Sequence, residues 1–248
     1  AVMASARSQP SLGRSILAGL LAGLATSTKY MGVLLWVPMA LALWPPLASQ
    51  GRDRYAALVR HLTIFGLAFV AAFIAGSPFA LVQAARLRGD FFREVRAVWT
   101  EGYPLPPGWI YHITFSLRQG LGIPLLGASL AGCIVLARTD WKRGVFLLSF
   151  PLSYYALMGK GTRDFVRYAI PLVPFLCITA AVFVVLLHRQ AASRLSPGGS
   201  RLVLAALAAL LILPSLSSLV RFDALLLRED TRVAARRYLE GSAPAGAT

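Results

Sequence analysis

Arg163 and Arg167 stand four residues apart in the stretch GTRDFVRYAIPLVP, residues 161–174, beside Asp164 and Tyr168 and directly before an apolar run that continues to His188. A guanidinium at the edge of such a run needs a partner: water, a lipid phosphate or a neighbouring carboxylate. At i and i+4 on one helical face, two planar forks can hold both non-bridging oxygens of a phosphate or diphosphate, with Tyr168 donating to the same group. They serve equally as headgroup anchors, with Asp164 as a local ion-pair partner. Pro171 and Pro174 distort the start of the following helix, and backbone groups left unpaired there are tolerated only against protein or a water-lined cavity.

Lys29, next to Tyr30, falls in a polar interruption, Thr26–Ser27–Thr28–Lys29–Tyr30, of an otherwise apolar stretch. Two readings are open for it: an ammonium snorkelling to the membrane surface, or one that neutralises the phosphate of a lipid-linked substrate. His112 closes PPGWIYH and reads as an interfacial packing residue more readily than as a catalytic base. Among the acids, Asp90 has the position of a helix cap and Glu94 that of a surface partner for Arg93 or Arg96. Glu101 has no such local explanation and is kept as a candidate substrate contact. No HExxH, paired metal ligands or Ser/His/Asp spacing is present, so no metal site and no cofactor is read from the sequence. GKGT at residues 159–162 lacks the upstream glycine spacing and strand context of a phosphate loop.

These residues sit in a chain of 248 residues that is 57% hydrophobic and 14% charged, with mean hydropathy +0.64. That balance belongs to a multi-span membrane protein. The net charge of +15 does not point to nucleic acid, because most basic residues flank apolar runs, where they act as membrane anchors and phosphate contacts. Cys133 and Cys177 lie inside expected spans without CxxC spacing and read as packing residues. The chain opens at Ala1 without an initiator Met and closes in GSAPAGAT, the pattern of an internal piece of a longer polypeptide.

The fold class expected is all-α: a polytopic membrane helical bundle of about seven transmembrane helices with an interfacial helix in an outer loop. Two short helices, about 12–27 and 31–47, meet in a tight turn at Lys29, the second closed by Pro45 and Pro46. Gly19, Ala22, Gly23 and Ala25 let the first pack closely on a neighbour. Further spans are expected at about 61–80, 117–137, 143–159, 168–188 and 201–219. Asp90 caps the interfacial helix, whose one face carries Phe91, Phe92, Val95, Val98 and Trp99, and the chain from Glu101 is too rich in Pro for helix until Trp109. A polar helix follows at 230–240 with Gly241 as its cap, so residues 1–220 read as membrane domain and 221–248 as the start of an extracytoplasmic domain or tail. With the amino end in the cytoplasm, Lys29, the 82–117 loop and the 161–174 stretch share the outer side.

Three segments carry a resemblance. AGLLAGLATSTKYMGVLLWVP resembles the Gly-rich helix followed by Thr-Lys-Tyr or Thr-Lys-Gly of the family 39 glycosyltransferases, which include protein O-mannosyltransferases and bacterial aminoarabinose transferases. FVRYAIPLVPFL resembles their Arg-Tyr-x-x-Pro-x-x-Pro segment, and REDTRVAARRYLEGSAPAG the Asp-Thr-Arg-x-x-Ala helix and Pro-Gly turn that open a periplasmic domain in bacterial members. The resemblance implies a GT-C membrane fold in the bacterial inner membrane. The activity implied is transfer of a sugar from a polyprenyl-phosphate donor to an acceptor at the extracytoplasmic face. It also implies that the catalytic aspartate lies upstream of Ala1, so that this chain supplies donor-phosphate binding through Lys29, Tyr30, Arg163, Arg167 and Tyr168 and is inactive alone. The partners expected are membrane lipid and lipid-linked sugar. A transporter or flippase for a lipid-linked anion would use the same cations and is the alternative.

Overall fold

The computed structural model describes residues 11–43, 52–100, 107–161 and 165–242, leaving aside the side chains of residues 52–54 and 98. The described residues are helical, without strands. Pro45, Pro46, Glu101, Arg163, Asp164 and the GSAPAGAT end beyond Ser242 lie outside them.

Helix α1 spans Leu12–Thr28, with Ser11 accepting from the Arg14 N–H at its start. It lies along α3, Arg52–Gly76, and small residues set how closely the two backbones approach. A Cβ on Gly19 would run into the Phe65 carbonyl, and one on Gly23 into the Phe69 carbonyl. Ala22 and Ala72 are buried in the same seam, as the small-residue spacing predicts. The polar pair there is self-sufficient: Ser15 Oγ and His61 Nδ1 are 2.8 Å apart and both residues are buried.

The helix stops where three hydroxyls turn back on it. Thr26, Ser27 and Thr28 donate to the carbonyls of Ala22, Leu24 and Ala25 at 2.7–2.8 Å, competing with the backbone for its own acceptors. Lys29 is extended, and the chain resumes as a 3₁₀ turn, Tyr30–Leu35, running into α2, Trp36–Leu43. The expected break at Lys29 is therefore present, although the second segment begins as 3₁₀.

A short helix α4, Phe79–Val82, leads into the amphipathic α5, Ala84–Thr100. Asp90 does not cap α5; it lies inside the helix and pairs with Arg93 and, at 3.9 Å, with Arg86. The reason is local: good helix formers at 84–88 carry the helix past Gly89, and ion pairs in both directions hold Asp90 within it.

Helix α6, Gly108–Tyr111, passes through a π-helical stretch, His112–Leu117, into α7, Arg118–Thr139, which kinks at Gly122. Gly122 has φ +77°, a conformation that favours glycine, and Pro124 just beyond it has no N–H to continue the ladder. Asp140 accepts from the Arg143 N–H and starts α8, Trp141–Met158. A 3₁₀ turn, Val166–Leu172, precedes α9, Val173–Ala192, which packs along α7 with Gly132 pressed on the Thr179 carbonyl. Helix α10, Pro197–Leu226, leans on α9 and α7, and α11, Thr231–Ser242, follows. The helix does not break at 220, and Gly241 lies within the last turn of α11 instead of capping it.

Four stretches are long and apolar enough to cross a membrane: Tyr55–Gly76, Gly108–Thr139, Val166–Ala192 and Pro197–Ser242. Their outward faces are apolar, with Leu67, Ile123, Ile170, Leu202 and Leu213 all more than half exposed. An exposed face of that kind suits hydrocarbon and not water, so the chain is a membrane protein by composition and helix length.

Candidate functional site

The core cluster of Leu117, Leu121, Leu126, Tyr154, Met158, Ala169 and Leu172 is the platform for the site. Met31 and Leu34 of the first 3₁₀ turn pack on it from one side, and Tyr168 of the second from another. The two breaks in the helical ladder, at Lys29 and at Phe165, therefore meet over one apolar base.

Tyr168 is the centre of the meeting. The Lys29 Nζ sits 5.3 Å from its ring centroid and the Arg167 guanidinium 5.9 Å. Arg167 also stacks on Phe165 at 4.3 Å, and Phe165 packs edge-on against Tyr168 at 5.4 Å. Aromatic faces attract cations without neutralising them, so both charges are held in place and stay available. Among the described residues neither Lys29 nor Arg167 forms an ion pair, whereas Asp90, Asp140, Glu229 and Glu240 are each paired with an arginine. Tyr30 packs edge-on against Phe91 at 5.5 Å, which draws α5 to the same end of the bundle as Lys29 and Tyr168.

Electrostatics makes the pair uncomfortable without a ligand. Lys29 keeps open surface at the break between α1 and the 3₁₀ turn, outside the spanning stretches. Loss of water around it, and then the nearby Arg167 charge, lower its pKa from the ordinary 10.5. An anion entering between the two cations would reverse the second effect.

The backbone here is fixed by one hydroxyl. In a 3₁₀ turn the Tyr168 carbonyl would accept from the residue three further on, and that residue is Pro171, which has no N–H. Tyr154 Oη, on α8 and 2% exposed, donates to this carbonyl at 2.8 Å. Sequence reasoning gave Tyr154 no role. The available signal was a tyrosine inside an apolar span, which needs a partner for its hydroxyl when buried.

The remaining sequence candidates fare differently. Glu101 and Arg163 lie outside the described residues. The single helical face expected for Arg163 and Arg167 requires unbroken helix between them, and Phe165 is extended (φ −100°, ψ 134°), so that relation does not hold. His112 is fully buried, with Nδ1 2.9 Å from Ser116 Oγ and its ring edge-on to Tyr111. Its π-helical segment packs against the 3₁₀ turn of Arg167 and Tyr168, but the histidine points into protein. Trp109 fills the space over Gly159 and its carbonyl accepts from the Tyr155 hydroxyl, which ties α6 to the end of α8. Cys133 and Cys177 are free thiols.

Two cations of different geometry with one tyrosine between them, neither paired with a carboxylate among the described residues, can together hold a group with several acceptor oxygens. Comparison with protein-family models, curated proteins and solved structures finds no match to this chain.

Proposed function

We propose that this chain is the donor-binding part of a membrane glycosyltransferase that transfers a sugar from a polyprenyl-phosphate donor to an acceptor at the extracytoplasmic face. The observation that carries the reading is the convergence of Lys29 and Arg167 on Tyr168, unpaired with any acid among the described residues, at two helix breaks over an apolar base. The donor's phosphate lies between the two cations and its prenyl chain along the outer apolar surfaces of the spans. In this reading α1, the Tyr30–Leu43 segment and α8 cross the membrane with the four longer stretches, giving seven spans, and α5 lies at the outer surface.

The chemistry follows from the charge. When the acceptor hydroxyl attacks the anomeric carbon, the bond from that carbon to the phosphate oxygen breaks and the phosphate leaves with increasing negative charge. Arg167 and Lys29 stabilise that charge, and a carboxylate not among the residues gathered here takes the acceptor proton. Arg163, four residues before Arg167, and Glu101 are retained as further contacts.

Binding tests the reading directly. Polyprenyl phosphate added to the full-length protein in detergent should raise its unfolding temperature, and polyprenol without the phosphate should not. Equal stabilisation by the two lipids would defeat the reading. A flippase for the same lipid would also bind the phosphate but would not consume the sugar donor, which separates the two activities.

A further inference from the structure

The kink at Gly122 packs against Pro214 of α10, and beside this contact lies a cleft of about 260 Å³ lined by Arg118, Gln119, Gly122, Pro214, Ser215 and Ser218. Arg118 lies inside the apolar stretch Gly108–Thr139, and among the described residues no ion pair, hydrogen bond or ring contact engages its guanidinium. A charge at such a position needs a partner, and no carboxylate lines the cleft.

The two serines define what else the partner must offer. Ser215 Oγ donates to the Leu121 carbonyl at 2.8 Å, a carbonyl that the kink and Pro124 would otherwise leave open. Ser218 Oγ donates to the Pro214 carbonyl at 3.1 Å. The Pro214 carbonyl also accepts from Ser217 Oγ at 2.8 Å, and with both cleft hydroxyls turned onto carbonyls the serines present lone pairs to the cleft while Arg118 presents only N–H donors. The complementary ligand is an anion that carries hydroxyl groups beside it. The volume suits a phosphoglycerol group and falls short of the usual range for large ligands. Ile123, Leu213 and Leu216 around the cleft are exposed, which gives an attached acyl chain an apolar surface.

We propose that this cleft binds the polyol phosphate headgroup of a membrane glycerophospholipid, with Arg118 on the phosphate and Ser215 and Ser218 accepting from the glycerol hydroxyls. The site is separate from the Lys29–Arg167 pair and does not depend on the donor reading.

The test is native mass spectrometry of the full-length protein titrated with dioleoylphosphatidylglycerol or dioleoylphosphatidylethanolamine. Wild type should retain the glycerol lipid about tenfold more tightly than the ethanolamine lipid, and Arg118→Gln should retain the glycerol lipid about tenfold more weakly than wild type. Ser218→Ala, which leaves the Leu121 carbonyl capped, should weaken retention several-fold. Ser217→Ala, one residue off the cleft, should match wild type. Folding of each variant is checked by size-exclusion chromatography. Unchanged retention in Arg118→Gln, or equal retention of the two lipids by wild type, would overturn the proposal. Displacement of the lipid by free sn-glycerol 1-phosphate at equal concentration would overturn the lipid assignment, and failure to displace it supports that assignment.

Discussion

The α1–α3 seam and the Lys29–Tyr168 junction share helix α1 and are built on opposite terms. In the seam, regular helix meets regular helix, glycines press on carbonyls, and the one polar pair, Ser15 and His61, satisfies itself. At the junction the ladder is broken twice, a proline removes a donor, and two cations sit on aromatic rings without an acid paired to them among the described residues. A region completed by its own packing is there to hold the fold. A region with charge left over is, in the proposed reading, where the donor phosphate is met.

The largest effect should come from the seam. Gly23→Leu drives a side chain into the Phe69 carbonyl and should destabilise by at least about 3 kcal/mol or prevent recovery of folded protein, followed by thermal unfolding in detergent. Gly13→Leu, on the same helix where a Cβ meets nothing within 4 Å, should be close to neutral. If both glycines tolerated leucine equally, close approach would not be what joins α1 to α3.

The next effect belongs to the junction and to pH. Loss of water and then the Arg167 charge lower the Lys29 pKa from 10.5, so its positive charge is lost at a lower pH than that of an ordinary lysine. Polyprenyl-phosphate affinity should therefore fall about tenfold on the alkaline side, at a lower pH than an ordinary lysine would give. Lys29→Arg, whose guanidinium stays protonated, should move the fall to higher pH. An alkaline limb unmoved by that substitution would detach Lys29 from the ligand.

The smallest effect should come from Tyr154→Phe, which leaves the Tyr168 carbonyl without its hydroxyl donor at 2.8 Å. The expected loss is about 1–2 kcal/mol of stability with a few-fold weaker donor binding, because a buried carbonyl loses its partner and the ring between the cations loses its anchor. A stability loss with unaltered binding would make Tyr154 part of the platform alone.

How much of this could be read from the sequence divides along the same line. Gly19, Ala22, Gly23 and the polar break at Lys29 could be read directly, because helix packing of small residues and the interruption of an apolar run are local signals. The meeting of Lys29 with Tyr168 could only be anticipated as a shared side, since it depends on α8 and the π-helical stretch holding two distant turns on one core. The Asp90 cap failed because a capping residue and an ion-paired residue look alike until the helix start is known. The paired face of Arg163 and Arg167 failed at Phe165, where the turn begins from extended chain instead of continuing helix. Leu121 and Tyr168 share a device that sequence hid: each carbonyl, three residues before a proline, is capped by a hydroxyl from another helix, Ser215 in one case and Tyr154 in the other.

Sugar transfer by the full-length protein is the most direct test of the junction's role. Membranes carrying Lys29→Ala or Arg167→Ala should consume polyprenyl-phosphate sugar about 10² to 10³ times more slowly than wild type, while the purified variants unfold at the wild-type temperature. Full consumption by both folded variants would contradict the account.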